Sequence, residues 1–270
     1  MKDTPVPRPN PLPLIYRILG NCVQAPLFFA GTALFGTISL MASVFERDGS
    51  MQHRIARLWA AVSMRIAWSP VTVIGGENLR RHPVAVYASN HVSYMDTPAL
   101  FSALPFQFRI LARQSLWKLP FIGWHLRRSG QIPVDTDNRG TATGSLGAAL
   151  KALKDGMPLV VFPEGGRSKD GQLQPFMSGP AYLALRAKVP LVPIAIVGTY
   201  ELLPMHTRHY FPQRVRIYVG EPIQTTAYSV RQVRELTERL RTEISRLYHG
   251  HSYLMPQYVV GEDDKQGLLV

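Results

Sequence analysis

Hydrophobic and polar positions divide the chain into stretches of different character. From Ile18 to Phe45 there are 28 residues without Asp, Glu, Lys or Arg. As a helix, residues 25–45 would span roughly 31 Å, close to the ~30 Å hydrocarbon core of a bilayer. The stretch is longer than the apolar part of a signal peptide, and no clear small-residue cleavage site follows it. It is therefore predicted to be a retained membrane segment, with a buried core helix as the competing reading. Three basic residues precede it (Lys2, Arg8, Arg17) and three follow (Arg47, Arg54, Arg57), so the charge rule for orientation does not decide between spanning and dipping. In residues 53–68, Arg54, Arg57 and Arg65 alternate with Leu58, Trp59, Val62 and Ile66. This predicts an amphipathic basic helix of the interfacial kind. A surface helix packed on a domain would show the same pattern.

After Pro70 the period changes. Short β-rich runs are predicted as strands at 71–75, 84–88, 108–112, 131–135, 158–163, 191–197 and 214–220. Helical runs lie between them near 98–104, 121–129, 141–154 and 179–188. A last helix runs near 229–248, with Leu236, Leu240, Ile244 and Leu247 on one face. Apolar strands alternating with helices predict an α/β fold: a largely parallel, buried sheet flanked by helices. The expected organisation is a membrane-associated helical segment over 1–69, the α/β domain over 70–249 and a tail over 250–270.

Charge adds a partner class. The 30 Lys and Arg outnumber the 18 Asp and Glu, for a net charge of +12. Such a balance suits an anionic partner: nucleic acid, an acidic membrane surface or a phosphorylated substrate. The chain has no recognised nucleic-acid module, and the apolar stretch argues against that partner. The single cysteine, Cys22, allows no disulfide within the chain and no thiolate zinc site.

Candidate chemistry begins with "ASNHVSYMDTPAL", residues 88–100. His91 and Asp96 are five positions apart, about 140° around a regular helix, so they meet only if the chain leaves a strand, turns and starts a helix at Asp96. Asp96 followed by Thr97 and Pro98 is a good helix start. Such a turn at the carboxyl edge of a sheet is where α/β folds hold ligands. Ser93 and Ser168 lack the G-x-S-x-G setting of a hydrolase nucleophile. His206 and His209 lack the H-E-x-x-H setting of a metal pair. What remains is a histidine base oriented by a carboxylate, with the nucleophile supplied by the substrate.

"NHVSYMD" resembles the N-H-x-x-x-x-D motif of the glycerolipid acyltransferases, the lysophosphatidic acid acyltransferase family. Three further blocks follow in the family's order. The second contains Arg113, Pro120, Gly123, Gly130, Ile132 and Asp135. It departs from the family at Ser115, where an acidic residue is common, and at Thr136, where arginine is usual; Arg139 stands three residues on. The third, "VVFPEGGRSKDGQLQPFMSG", resembles F-P-E-G-x-R-S. Pro163 would stop the strand, Gly165 and Gly166 would permit a tight loop open to a ligand, and Arg167 carries a fork suited to phosphate. Glu164 would order Arg167 or touch a substrate hydroxyl. The fourth, "KVPLVPIAIVGT", resembles the family's V-P-[apolar]-V-P strand and reads as structural. Together the blocks cover residues 88–199.

The resemblance implies a glycerol-3-phosphate acyltransferase-like fold and transfer of a fatty acyl group from acyl-CoA or acyl carrier protein to a lysolipid hydroxyl. The default acceptor is 1-acylglycerol 3-phosphate and the product phosphatidic acid. His91 would be the base and Asp96 its orienter. Asn90, Glu164, Gly165, Gly166, Arg167 and Arg113 would line the substrate site, and the oxyanion donors would be backbone N–H groups or a basic group near Arg113. No metal or redox cofactor is implied. A cytosolic donor implies a catalytic domain on the cytoplasmic face of the inner membrane, held by anionic lipid. Thr136 leaves open another acceptor, such as a lyso-ornithine lipid or a lysophospholipid. A lipid-binding protein without activity is the reading from another class.

Overall fold

A computed structural model describes residues 14–46, 48–134, 139–205, 207 and 210–252. Among these, seven strands form one sheet in the order β1-β7-β6-β2-β5-β3-β4. The strands are β1 (Val71–Ile74), β2 (Val86–Ser89), β3 (Arg109–Arg113), β4 (Ile132–Val134), β5 (Leu159–Val161), β6 (Leu191–Val197) and β7 (Val215–Val219). Each falls within one residue of a predicted strand. Five of them, β6, β2, β5, β3 and β4, run parallel. β7 runs antiparallel to β6 and carries β1 parallel to itself, which makes the sheet mixed. Strands β2, β5 and β6 are buried at every position, as their unbroken apolar runs require.

The helices are α1 (Leu14–Leu19), α2 (Ala25–Ala42), α3 (Ser50–Ile66), α4 (Glu77–Arg81), α5 (Asp96–Ala103), α6 (Ile122–Arg128), α7 (Arg139–Lys154), α8 (Gly179–Ala187), α9 (Thr199–Leu202) and α10 (Val233–His249). A π-helical turn, Gly20–Gln24, joins α1 to α2. A 3₁₀ turn, Gln114–Lys118, follows β3. α10 starts four residues later than expected, because Ser229 and Gln232 form a capping box on a short 3₁₀ turn ahead of it.

Two cores lie on opposite faces of the sheet. One gathers Ala60, Met64, Leu100 and Phe108 against Tyr87, Ile194 and Ile217. The other gathers Leu153, Leu183, Leu236, Leu240 and Ile244 against Val86, Ala88 and Leu159. Tyr87 and its neighbours Val86 and Ala88 thus point to different layers, the two-residue period of a strand. α3 contributes Ala56, Ala60 and Met64 to the first core while Arg54, Leu58 and Arg65 stay exposed. The helix packs on the domain and keeps a basic outer face, a placement that both readings of its sequence allow.

Residues 20–42 are long and apolar enough to cross a membrane by length and composition, with a mean hydropathy of 1.6 and few of their side chains buried. One side of this helix follows the protein body along its length. Gln24 Nε2 donates to Ile66 O at 2.9 Å, Trp59 Nε1 donates to Thr32 Oγ1 at 3.1 Å, and Ser39 Oγ shares a 2.7 Å hydrogen bond with His125 Nδ1. The other side exposes Leu27, Phe29, Leu34, Ile38 and Met41.

Candidate active site

Parallel strands bring their carboxyl ends to one edge. There β2 leads into His91, β5 into Glu164, and β3 ends at Arg113, with β5 between β3 and β2. The chain leaves β2, turns through 90–95 and enters α5 at Asp96, so the pair five residues apart does meet. His91 Nδ1–H donates to Asp96 Oδ2 at 2.7 Å. The same oxygen accepts the backbone N–H groups of Val92 at 2.7 Å and Ser93 at 2.8 Å. Asp96 is fully buried. Its carboxylate therefore faces back into the turn. α5 begins at Asp96, as the helix-start reading expected, with Met95 in the N-cap position and no side-chain cap hydrogen bond. Asp96 Oδ1 has no partner among the described residues.

Three further contacts fix His91. Its ring stacks on Phe162, with centroids 3.9 Å apart and planes inclined by 15°. Its backbone N–H donates to Glu164 Oε1 at 2.7 Å, and its carbonyl accepts the N–H of Ser168 at 2.8 Å. With Nδ1 committed to Asp96, Nε2 is the ring nitrogen left to face a substrate.

Glu164 departs from its expected part. Both carboxylate oxygens take backbone donors: His91 N–H on Oε1, and Gln174 N–H on Oε2 at 2.8 Å. Among the described residues it neither orders Arg167 nor points a free oxygen outward. Burial pushes its carboxyl up to about 7 against the lowering effect of those two bonds, and the nearby Asp96 charge adds to the rise. Arg167 instead lays its guanidinium over the exposed ring of Tyr94, 3.9 Å from the centroid, bridging the Glu164 loop to the His91 turn.

Gly165 and Gly166 separate into two kinds. Gly165 has φ +70°, and a Cβ there would fall 2.5 Å from Met177 Cε. A Cβ on Gly166 would meet open space. Arg113 is exposed at the end of β3. Asn90 is a correction. It is fully buried, donates from Nδ2 to Ile196 O at 3.0 Å and accepts Ile196 N–H at 2.7 Å, so its amide extends the ladder to β6 and is closed to a ligand. Asp135, Thr136, His206 and His209, and the tail from 253, lie outside the described residues. Pro193 sits inside fully buried β6, its carbonyl accepting Gly220 N–H at 2.9 Å, in keeping with the structural reading of the fourth block.

Sequence reasoning missed three supports: Phe162 under the imidazole, Ser93 Oγ donating to Leu203 O at 2.9 Å, and Tyr248 donating from its hydroxyl to Gly171 O at 2.8 Å. Only Phe162 carried any signal, as the apolar residue ending the strand before Pro163.

The chain is similar to known proteins. Residues 70–197 match the family model described as Acyltransferase. The chain is 30% identical over 230 residues to a chloroplastic 1-acyl-sn-glycerol-3-phosphate acyltransferase of Brassica napus, covering 82% of this chain and 65% of that protein. It is 29% identical over 226 residues to the 1-acyl-sn-glycerol-3-phosphate acyltransferase of Saccharomyces cerevisiae, covering 82% of this chain and 74% of that one. The chain thus spans less than two thirds of the plant relative. The crystal structure of the 1-acyl-sn-glycerophosphate (LPA) acyltransferase PlsC of Thermotoga maritima superposes with a TM-score of 0.73 at 25% identity, covering 86% of this chain and 95% of that one.

Proposed function

We propose that the chain is a glycerolipid acyltransferase and that it moves a fatty acyl group from a thioester donor to the free hydroxyl of 1-acylglycerol 3-phosphate, giving phosphatidic acid; the match to the acyltransferase family model and the similarity to two 1-acyl-sn-glycerol-3-phosphate acyltransferases support this reading. The observation that carries the mechanism is the 2.7 Å His91–Asp96 bond on a backbone held from both sides by the Glu164 loop. His91 Nε2 removes the proton of the acceptor hydroxyl as that oxygen attacks the thioester carbonyl. When the tetrahedral intermediate collapses, the C–S bond breaks and the leaving thiolate takes the proton from the imidazolium. Asp96 keeps the Nδ1–H tautomer in place and stabilises the transient cation, as in a catalytic triad without a protein nucleophile. One proton and one acyl group move, and the steps call for neither metal nor redox cofactor. Arg167, held across Tyr94, binds the acceptor phosphate together with Arg113.

The donor in this reading is acyl-CoA or acyl carrier protein, and the protein works on the cytoplasmic face of the inner membrane. Packing of α2 along the body, from Gln24 to Ser39, favours a helix lying in one leaflet over one standing away from the domain. Thr136 supports a second acceptor reading, a lyso-ornithine lipid or lysophospholipid. A membrane assay with one labelled acyl thioester and these acceptors in parallel separates the readings. His91→Ala should lower turnover about 10²–10⁴-fold while the protein stays folded and membrane-bound. Retained turnover in that variant would refute the base assignment.

A further inference from the structure

Directly after Arg113 the chain runs through the 3₁₀ turn Gln114–Lys118 into α6. This segment resolves its apolar residues in an unexpected way. Leu119 is 43% exposed, Ile122 37% and Trp124 41%. The backbone is strained to hold them there. Phe121 has φ +59° and ψ −57°, and Ile122 N–H reaches back to Pro120 O at 2.6 Å, a three-residue turn that a bulky residue seldom adopts.

The strained residue is also the joint with α2. A methyl group on Gly36 would come within 2.8 Å of Phe121 Cβ, and Trp124 meets the Phe121 ring edge-on at 5.0 Å. The Ser39–His125 bond ties the same two helices one turn on. The exposed apolar side of α2 and the exposed residues of this segment therefore adjoin. Charge around the segment has one sign: residues 113–128 hold four basic side chains, at 113, 118, 127 and 128, and no acidic one.

We infer that Leu119, Ile122 and Trp124 form a second membrane-docking surface beside α2, seated in the interfacial layer of a bilayer that contains anionic phospholipid. An exposed Trp flanked by Lys and Arg is the composition that bilayer interfaces select. Adjacency to α2, whose own exposed face is apolar over a membrane's length, favours a lipid surface over a protein partner. Two separate contacts fix the roll of the molecule, which a single helix does not. Because the segment follows the end of β3, that roll brings the sheet edge bearing His91 close to the lipid surface, where a lysolipid resides. The inference rests on the reading of the chain as a membrane lipid acyltransferase.

The test uses the full chain and two vesicle types, one of phosphatidylcholine and one of equimolar phosphatidylcholine and phosphatidylglycerol. Leu119→Ser/Trp124→Ser should bind the mixed vesicles about tenfold more weakly, the loss expected when roughly 1.4 kcal/mol of apolar transfer is removed. Its acyl transfer in detergent micelles should stay within about twofold of wild type. Unchanged vesicle affinity would overturn the surface, as would a change in oligomeric mass in place of a change in affinity. Equal wild-type affinity for both vesicle types would overturn the part given to the basic side chains. Should the double variant not fold, an environment-sensitive dye on Leu119→Cys in a Cys22→Ser background gives the answer: its emission should shift to the blue on adding mixed vesicles, and no shift refutes the contact. If wild type transfers no acyl group in micelles while the vesicle results hold, the catalytic reading fails and the surface stands.

Discussion

His91 is held at its ring and at both backbone polar groups, and two of those holds come from the loop that follows β5. Glu164 is the member whose removal discriminates best. A glutamine there offers one acceptor oxygen to two backbone N–H donors and turns an N–H₂ against the other. Glu164→Gln should lower kcat about 10–100-fold, because a base displaced by a fraction of an ångström loses its aim. Because burial raises the Glu164 carboxyl to about 7, wild-type kcat should carry a component that falls as pH drops through 7 and the carboxylate takes up a proton; the glutamine variant should lack it, a difference read from paired pH–rate profiles. The two glycines beside it predict opposite failures. Gly165→Ala should cost roughly 1–2 kcal/mol of stability, from its left-handed backbone and the Met177 contact. Gly166→Ala should leave stability alone and raise the KM for a phosphate-bearing acceptor, since only a ligand would meet the new methyl; denaturation and steady-state kinetics separate the pair. The residues whose partners are near in sequence were the legible ones. His91 and Asp96 lie five apart and their meeting follows from a turn. Asn90 belongs to the same motif, yet its partner Ile196 is 106 positions away, so nothing local told a buried rung from a ligand contact.

At the scale of elements, the seven strands were readable because each is a run of β-branched and apolar residues bounded by Pro, Gly or charge. α4 and α9, of five and four residues, are too short to show a helical period and were not foreseen. The joint between α2 and α6 was equally hidden, because an apolar run shows length and composition but not which side is covered. Its glycines now make it testable. A Cβ on Gly31 meets nothing within 4 Å, whereas one on Gly36 runs into Phe121. Gly31→Ala should therefore stabilise by about 0.5–1 kcal/mol through helix propensity alone. Gly36→Ala gains the same propensity but overpacks the joint at about 1–3 kcal/mol, so its net effect should be a loss. Thermal unfolding in detergent should place the two midpoints on opposite sides of wild type.

For the whole molecule, buried titratable groups of opposite kinds set how stability depends on pH. His53 is wedged between Phe101 and Phe108, with Nε2–H donating to Phe106 O at 3.1 Å, and burial pushes its imidazole down to about 4. Burial likewise pushes His125, at the α2 joint, down to about 4. Between pH 4 and 6.5 the unfolded chain protonates both while the folded chain does not, so their contribution to stability rises with pH across that window and is level above it. Glu164 acts in the other direction. Its folded carboxyl at about 7 keeps a proton that the unfolded one gives up near 4.5, so its contribution falls as pH rises from 4.5 to 7. Burial raises Glu201 as well, which adds to the fall. The opposing slopes should partly cancel in wild type between pH 4.5 and 6.5. Substitution should uncover each side. His53→Gln removes one rising contribution, worth roughly 2 kcal/mol over that window, so the variant should lose stability relative to wild type as pH rises. Glu164→Gln removes a falling contribution, so its stability should climb with pH instead. Urea unfolding at pH 4.5, 5.5 and 6.5 in one detergent measures all three slopes. Parallel slopes for wild type and both variants would mean that these side chains do not titrate differently in the folded and unfolded chain.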